Sequence, residues 1–143
     1  MGLLKLANET AEIGPDALVI DAVHLMFERK VGALAVTEAR RCVGIFTERD
    51  LLRRVIHAGK DPATTHVKEV MTSPVVSVSD HTSVAEAAGI MRENNFRHLA
   101  IADRRGQLEG IVALRYLLYE IMDELEKKVG DLEGYLMADG PGG

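Results

Sequence analysis

Residue types that carry particular functions are scarce in this chain. Its 143 residues include one cysteine and no tryptophan, and aromatic residues make up only 4%. Cys42 can form neither an internal disulfide nor a multi-cysteine zinc site, which indicates a reducing compartment, and we expect the cytoplasm. The few aromatic rings leave little surface on which nucleic-acid bases could stack.

An excess of basic residues and long apolar runs are also lacking. The 17 lysines and arginines stand against 22 acidic residues, giving a formal net charge of −5, which excludes a protein that binds nucleic acid through a broad basic field. No apolar stretch approaches the roughly 18–20 residues of a membrane span, and the start of the chain has no signal-type core. We therefore expect neither nucleic acid nor a membrane as the main partner.

What the chain does contain is an internal duplication. Residues 21–28 align with residues 86–93 at an offset of 65. Residues 43–46 align with residues 109–112 at an offset of 66, and the extra residue falls in the polar turn 103–106. A surface turn is where a duplicated unit tolerates an insertion, so the alignment predicts two copies of one structural unit.

Each copy changes its hydrophobic period in the same order. Apolar residues at helical spacing predict helices over 18–30 and 83–95, and a second helix follows at 48–58 and from Leu114 onward. Short apolar runs separated by polar turns predict the strands. These strands are Ile13, 33–37 and 43–46 in the first copy and 75–78, 98–102 and 108–112 in the second.

The fold class that follows is α/β (α+β), with two pseudo-symmetric β-α-β-β-α repeats packed as one module and a C-terminal amphipathic helix. Pro62 cannot continue the helix of the first repeat, so a linker begins there. The predicted units are repeat 1 at 9–60, a linker leading into repeat 2 at 61–72, repeat 2 at 73–122, a C-terminal helix at 123–138 and a flexible tail at 139–143.

Three motifs in this order resemble a tandem cystathionine-β-synthase (CBS) domain pair. They are Gly-Ile-Phe-Thr-Glu-Arg-Asp at 44–50, Val-Lys-Glu-Val-Met-Thr at 67–72 and Phe-Arg-His-Leu at 96–99. The resemblance runs from about residue 9 to 122 and is closest to the small stand-alone proteins of the family. It implies a regulatory sensor that binds an adenine nucleotide between the repeats, AMP, ADP, ATP or NAD(H), or alternatively S-adenosylmethionine.

The residues around position 47 fit such a ligand on chemical grounds. A nucleotide site needs an acceptor for the ribose hydroxyls, donors or positive charge for the phosphate and an apolar slot for the base. Asp50 can accept from the ribose, Thr47 offers a hydroxyl at a predicted helix start that favours an anion, and Arg49 adds charge. The same Thr47 and Asp50 also fit a plain helix cap, and the pattern leaves both interpretations open.

The resemblance adds residues from the second repeat. It places Arg97 and His98 at the phosphate of the nucleotide whose ribose Asp50 holds, although the two alone fit a solvated pair at the start of a strand. It also places the purine along residues 71–76. The residues of that segment that we assign to the site are Met71, Thr72 and Val76.

The second copy lacks the same groups. At the offsets given above, the residues that replace Thr47, Asp50, Arg97 and His98 are Ala113, Tyr116, Gly32 and Ala33. We therefore expect one competent nucleotide site and one degenerate site, the latter filled by Tyr116 and Arg115.

Motifs of common enzyme classes are missing. Arg54 and Asp61 stand where a phosphate-binding loop ending in Gly59-Lys60 would need glycine and Ser/Thr. The five histidines show no spacing typical of metal ligands, and Cys42 fits a core or edge position better than a nucleophile. We expect neither an enzyme nor a metal site.

The C-terminal segment has a heptad pattern. Its apolar residues recur at alternating spacings of four and three, at Leu118, Met122, Leu125, Val129, Leu132 and Leu136. The segment predicts either a helix packed on its own domain or a contact in a homodimer, and we favour the homodimer, because Gly130 and Gly134 make an isolated helix marginal. Since no effector domain follows, the nucleotide signal would be read by an unidentified effector protein. The alternative function is a dimerising interaction scaffold without a ligand.

Overall fold

Both repeats of the computed structural model, which describes residues 2–7 and 11–138, have the order β-α-β-β-α. The first contains β1 (Glu12–Ile13), α1 (Val19–Arg29), β2 (Ala33–Glu38), β3 (Arg41–Thr47) and α2 (Glu48–Asp50), which continues as a π-helix over Leu51–Ile56. A short α3 (Val67–Val70) follows in the linker. The second contains β4 (Ser77–Val78), α4 (Val84–Asn94), β5 (His98–Ala102), β6 (Leu108–Ala113) and α5 (Leu114–Ala138). The predicted tail at 139–143 lies outside the described residues.

Each repeat has its own three-stranded sheet, and the two sheets are built alike. The strand orders are β1-β2-β3 and β4-β5-β6, with the first pair of each sheet parallel and the second antiparallel. The antiparallel register shifts after Val36 in one sheet and after Ile101 in the other, which are equivalent positions of the duplication. The predicted fold class of two pseudo-symmetric repeats is confirmed.

The first helix of each repeat ends in the same way. Lys30 after α1 and Asn95 after α4 both adopt the left-handed conformation, with φ of 55° and 56°, and their N–H groups bond carbonyls of the last helical turn. This ending turns the chain directly into the central strand of its sheet. It also brings the α4–β5 turn to the edge of the repeat that faces the cleft described below.

The segments that precede the repeats are exchanged between them. Val67 and Val70 of α3 are buried in the core of the first repeat, with Phe46 of β3. A 3₁₀ helix at Leu3–Leu6 instead packs in the core of the second repeat, where Leu3 is 1% exposed and lies in one cluster with Leu99. The linker predicted at 61–72 is thus partly an element of the first core, and the two repeats stabilise each other.

The sheets meet through a separate apolar cluster. Its buried members are Ala33 of β2, Ile45 of β3 and Ala100 of β5. Two of these three side chains are single methyl groups, which lets the sheets approach closely. The cleft between the repeats opens beside this contact.

Helix α5 is continuous over 25 residues. The last helix predicted for repeat 2 and the C-terminal helix predicted at 123–138 therefore form one helix. Leu117 near its start is fully buried, whereas every residue from 122 to 136 is exposed. Within the described residues, no helix has the combination of length and apolar character needed to cross a membrane.

Candidate functional site

An open cleft of about 640 Å³ lies between the two repeats. One side is formed by the end of β3, by α2 and by its π-helical continuation. The other side is formed by the α4–β5 turn and the start of α5, and residues 72–76 complete the lining. Both repeats thus contribute side chains to one cavity, as a ligand-binding site between them requires.

Asp50 is the buried acidic group of the cleft, with 5% of the residue exposed. Its Oδ2 accepts hydrogen bonds from the Thr47 N–H at 3.0 Å and from the Thr47 hydroxyl at 3.1 Å, while its own N–H donates to Thr47 Oγ1 at 3.2 Å. This reciprocal pair is a capping box. The interpretation of Thr47 and Asp50 as a helix cap is confirmed, and the Thr47 donors expected to face an anion are used within the chain.

Thr72 reaches Asp50 from the segment that leads into the second repeat. Its hydroxyl lies 3.0 Å from Oδ1 and 3.3 Å from Oδ2 of that carboxylate. An isolated antiparallel bridge positions it, because Ile45 and Thr72 exchange backbone hydrogen bonds of 3.0 and 2.8 Å. Residues 72–76 therefore run beside β3 along the floor of the cleft.

Of the purine-contact residues assigned from the sequence, Thr72 and Val76 line the cleft and Met71 does not. The Met71 side chain lies directly over Gly44, where it fills the space a Cβ would take, and it packs on the core of the first repeat. Backbone geometry explains the difference, because successive residues of an extended segment point to opposite sides. The structure thus places Met71 outside the cleft lining, and its contact with a ligand stays a prediction.

Five arginines line the cleft among the described residues, against two acidic side chains, Glu48 and Asp50. They are Arg49, Arg53, Arg54, Arg97 and Arg115. A strongly positive cavity therefore exists in a chain of net charge −5.

Two of these arginines donate hydrogen bonds to backbone carbonyl groups of neighbouring segments. Arg49 Nη1 donates to the Asn95 carbonyl of the second repeat at 3.2 Å. Arg54 Nη1 donates to the Met71 carbonyl at 2.9 Å, and its Nε lies 3.7 Å from Asp50 Oδ1. These contacts orient the guanidinium groups at the position where the repeats meet.

The sequence assigned Arg49 and Arg97 to the ligand and Arg115, with Tyr116, to the filling of the degenerate half, but it left Arg53 and Arg54 unassigned. Arg53 and Arg54 follow Asp50 by about one helical turn, which places them on the same side of the helix. Arg115 is the equivalent of Arg49 at the offset of 66. Helical spacing therefore indicates that Arg53 and Arg54 lie beside Asp50. The duplication indicates that Arg115 lines the cleft as Arg49 does.

His98 lines the cleft, where the resemblance places it, and its ionisation is altered by its surroundings. Burial, followed by the nearby Arg115 and Arg97 guanidinium groups, lowers the pKa of His98 to about 4. The ring is therefore neutral near pH 7, and the contact of His98 with a phosphate stays a prediction, for which the neutral ring offers one N–H donor. Positive charge comes from the arginines instead.

The half of the cleft expected to be degenerate opens into the same cavity. Ala113 and Gly32, which replace Thr47 and Arg97 in the duplication, both line it, and so does Arg115. The Arg115 guanidinium lies 5.1 Å from the ring centroid of Tyr116 and 3.4 Å from its hydroxyl. Arg115 therefore faces the ligand cavity while it stacks on Tyr116.

Cys42 lies outside the lining of the cleft. The Cys42 thiol donates to the Gly44 carbonyl at 3.2 Å, and burial raises the pKa of this thiol, which disfavours the reactive thiolate. Across residues 2–7 and 11–138, no three His, Cys, Asp or Glu side chains form a group that could hold a metal ion.

Comparison with known proteins agrees with this architecture. A family model described as CBS domain matches residues 11–57 and 67–123. The CBS domain-containing protein YhcV of Bacillus subtilis is 34% identical over 109 residues, covering 76% of each chain. Three other curated relatives are longer, and the chain spans between 61% and 66% of their length.

Two solved structures share the fold over most of the chain. A hexameric CBS-CP12 protein from bloom-forming cyanobacteria is 28% identical with a TM-score of 0.75, covering 98% of this chain and 90% of its own. A CBS domain protein from Pyrobaculum aerophilum, complexed with AMP, is 25% identical with a TM-score of 0.78, covering 88% and 97%. With both repeats matched by the family model and by these structures, the chain belongs to the CBS domain family as a tandem pair.

Proposed function

We propose that this chain is a cytoplasmic, non-enzymatic regulatory module that binds one adenine nucleotide in the cleft between its repeats. The observation that carries the proposal is the placement of the buried Asp50 and five arginines from both repeats around one cavity. The AMP complex of the Pyrobaculum aerophilum relative supports an adenosine ligand. The candidates are AMP, ADP, ATP and NAD(H), with S-adenosylmethionine as the alternative.

Asp50 is suited to the ribose. A carboxylate offers about four lone-pair directions, and a ribose diol presents two hydroxyl donors. Oδ2 already accepts two hydrogen bonds from Thr47, whereas Oδ1 accepts one from Thr72. The remaining capacity on Oδ1 can therefore accept a ribose hydroxyl without breaking the capping box.

The base and the phosphate have separate surroundings. Apolar side chains along the lining can cover a purine ring, among them Ile45, Val75 and Val76. Arg49 from the first repeat and Arg97 from the second can bind the phosphate from opposite sides, with bidentate geometry available to each guanidinium. A nucleotide held in this way contacts both repeats at once.

Contact with both repeats is what makes regulation possible. A ligand shifts a protein between two arrangements only if it binds one of them more tightly. A nucleotide that bridges Asp50 and Arg97 favours the arrangement in which the two repeats are closest. The change is then read by an effector protein, whose identity we leave open.

Isothermal titration calorimetry with AMP, ATP, NADH and S-adenosylmethionine tests the proposal. We expect one adenine nucleotide per chain and at least about a tenfold loss of affinity in Asp50→Asn, because hydrogen bonds to a charged group contribute about 1.5–3 kcal/mol. Asp131→Asn on the exposed part of α5 is the matched control. A stoichiometry of two, or unchanged affinity in a folded Asp50→Asn protein, overturns the proposal of one competent site.

A second candidate function, a dimerising scaffold, rests on α5. Its heptad residues Met122, Leu125, Val129, Leu132 and Leu136 are each at least 55% exposed, so none of the residues at 2–7 and 11–138 covers them. A helix of this length with two glycines is marginal in water, and a second copy of the same seam would bury these side chains. The hexameric cyanobacterial relative, which aligns over 98% of this chain, shows that a protein of this fold can self-assemble.

Sedimentation of two charge variants tests this role. Leu125→Glu places a charge in the seam and should shift the chain toward the monomer. Lys127→Glu introduces the same residue on the opposite side of α5 and should leave the association unchanged. A chain truncated after Ile121 that remains as dimeric as the full chain would remove α5 from the interface.

A further inference from the structure

The arginines are not evenly placed with respect to Asp50. Arg49, Arg53 and Arg54 lie on the same helical segment as this carboxylate. Arg115 lies at the start of α5, on the second repeat, at the position that the duplication pairs with Arg49. Arg115 therefore adds a guanidinium group to the cavity from the second repeat.

The far end of the cavity is also open. Where the first half of the duplication has Thr47, the second has Ala113, and where the second repeat has Arg97, the first has Gly32. All four of these positions line the same cleft of about 640 Å³. The side chains lost from the degenerate half leave room beside Arg115, so a single ligand can extend from Asp50 into that half.

The charge of the cavity lining indicates which chemical group of a ligand can lie in the degenerate half. Each additional phosphoryl group adds negative charge and strong hydrogen-bond acceptors, which match guanidinium donors. Of the two acidic residues of the lining, Asp50 accepts hydrogen bonds from Thr47 and Thr72 at the ribose end. The Glu48 carboxylate lies beside Gly32, 3.7 Å from the position of an added Cβ, and offsets part of the positive charge in the degenerate half. Over the whole lining, five guanidinium groups still stand against two carboxylates. A cationic sulfonium compound would face the same arginines with unfavourable charge.

We infer that the degenerate half of the cleft is a phosphate-reading extension, in which Arg115 contacts the terminal phosphates of a nucleoside triphosphate. The chain therefore binds ATP in preference to AMP, and it binds one ligand across both halves rather than two. This inference rests on the proposed function, because the adenosine moiety is what anchors the ligand at Asp50.

Titrations of the phosphate series test it. Calorimetry with AMP, ADP and ATP, in a buffer with EDTA so that no divalent ion neutralises the phosphates, should give affinities that rise about tenfold or more from AMP to ATP. In Arg115→Gln the ATP affinity should fall about tenfold and the AMP affinity should stay within about twofold. Arg104→Gln, in an exposed turn away from the cleft, is the charge-matched control and should change neither.

Salt provides a second readout. The ATP affinity should fall more steeply than the AMP affinity between low and high ionic strength, because more charge is neutralised on binding. Arg115→Lys keeps the charge but loses the fork geometry, so it should recover part of the ATP affinity lost in Arg115→Gln. If Arg115→Gln unfolds the chain, Ala113→Glu places a carboxylate in the same half of the cleft and should lower the ATP affinity more than the AMP affinity.

The outcomes separate this inference from the proposed function. AMP binding as tightly as ATP, or equal losses of both in Arg115→Gln, overturns the phosphate-reading role and leaves the nucleotide site intact. Inorganic tripolyphosphate binding that depends on Arg115, without binding of any adenine nucleotide, overturns the proposed function and retains the phosphate site. Absence of binding by nucleotides and tripolyphosphate overturns both.

Discussion

The hydroxyl of Thr72 donates to the carboxylate of Asp50, with oxygen–oxygen distances of 3.0 and 3.3 Å to its two oxygens. Asp50 lies in the first turn of the second helix of the first repeat, and Thr72 begins the segment that leads into the second repeat. The proposed ribose acceptor is thus also a hydrogen-bonded junction between the repeats. A ribose hydroxyl bound at Asp50 would act directly on that junction.

Thr72→Val should destabilise the fold, because it removes this donor from a nearly buried carboxylate while keeping the shape of the side chain. We expect a loss of about 1–3 kcal/mol in the free energy of unfolding, as for other hydrogen bonds to charged groups. Urea unfolding followed by circular dichroism measures it. Thr64→Val, at an exposed position, is the control, and equal stabilities of the two variants would show that the Thr72–Asp50 bond contributes nothing.

The neutral state of His98 predicts a dependence of stability on pH. The pKa of this histidine is about 4 in the folded chain and 6.5 for the unperturbed side chain. Between these values the unfolded chain binds the proton and the folded chain does not, so stability is fully present above pH 6.5 and falls as the pH drops toward 4.

Urea unfolding from pH 4 to 7 measures the effect of His98. The wild type should lose up to about 3 kcal/mol more than His98→Gln over this range. The exposed His81→Gln variant, which removes a histidine at the surface, should follow the wild type. A ring-proton NMR titration of His98 with a midpoint near 6.5 would contradict the burial argument.

The duplication allowed most of the fold to be predicted from the sequence. Two copies of one hydrophobic pattern define the order of helices and strands, and the extra residue in the turn at 103–106 leaves the strand order of the second sheet unchanged. The exchange of Leu3–Leu6 and α3 between the repeats was not predictable in this way. Apolar spacing shows that Leu3 and Val67 are buried, but it does not show in which of two similar cores.

The candidate site was predictable where residues act through a local motif. The Thr47–Asp50 pair and Arg97 were found because each belongs to a short recognisable segment. The charge of His98 was not, because its pKa depends on burial and on Arg115, a neighbour that is distant in sequence. That Thr72 lines the cleft and Met71 does not could not be read from the sequence, because one residue along an extended segment reverses the direction of a side chain.

Because the 3₁₀ helix at Leu3–Leu6 packs in the core of the second repeat, Leu3→Ala and Leu52→Ala should lower the free energy of unfolding by different amounts. Leu3→Ala should lower the free energy of unfolding by about 2–5 kcal/mol, because it leaves a cavity in the core of the second repeat. Leu52→Ala removes the same atoms from a residue that is 64% exposed and should cost well under about 1 kcal/mol. Similar urea midpoints for the two variants would show that the 3₁₀ helix does not contribute to that core.

The two glycines of α5 predict a local gain in stability. A Cβ added at Gly130 or Gly134 meets no atom within 4 Å, and neither position belongs to the heptad seam. Gly130→Ala and Gly134→Ala should each stabilise the helix by roughly 0.8–1.0 kcal/mol. Since the exposed part of α5 can open without unfolding the repeats, the gain should be seen in local amide exchange rather than in the global unfolding midpoint.

Hydrogen exchange of the α5 amides therefore provides the measurement, with about a four- to fivefold increase in protection expected for each substitution. The amides of β2 and β5 serve as the internal control, because they belong to the buried sheets and should keep their rates. A decrease in the exchange protection of the α5 amides would contradict this expectation. It would show that a second copy approaches the helix at the glycine face, where a Cβ would collide, and that the chains associate there rather than through the seam of Leu125 and Val129.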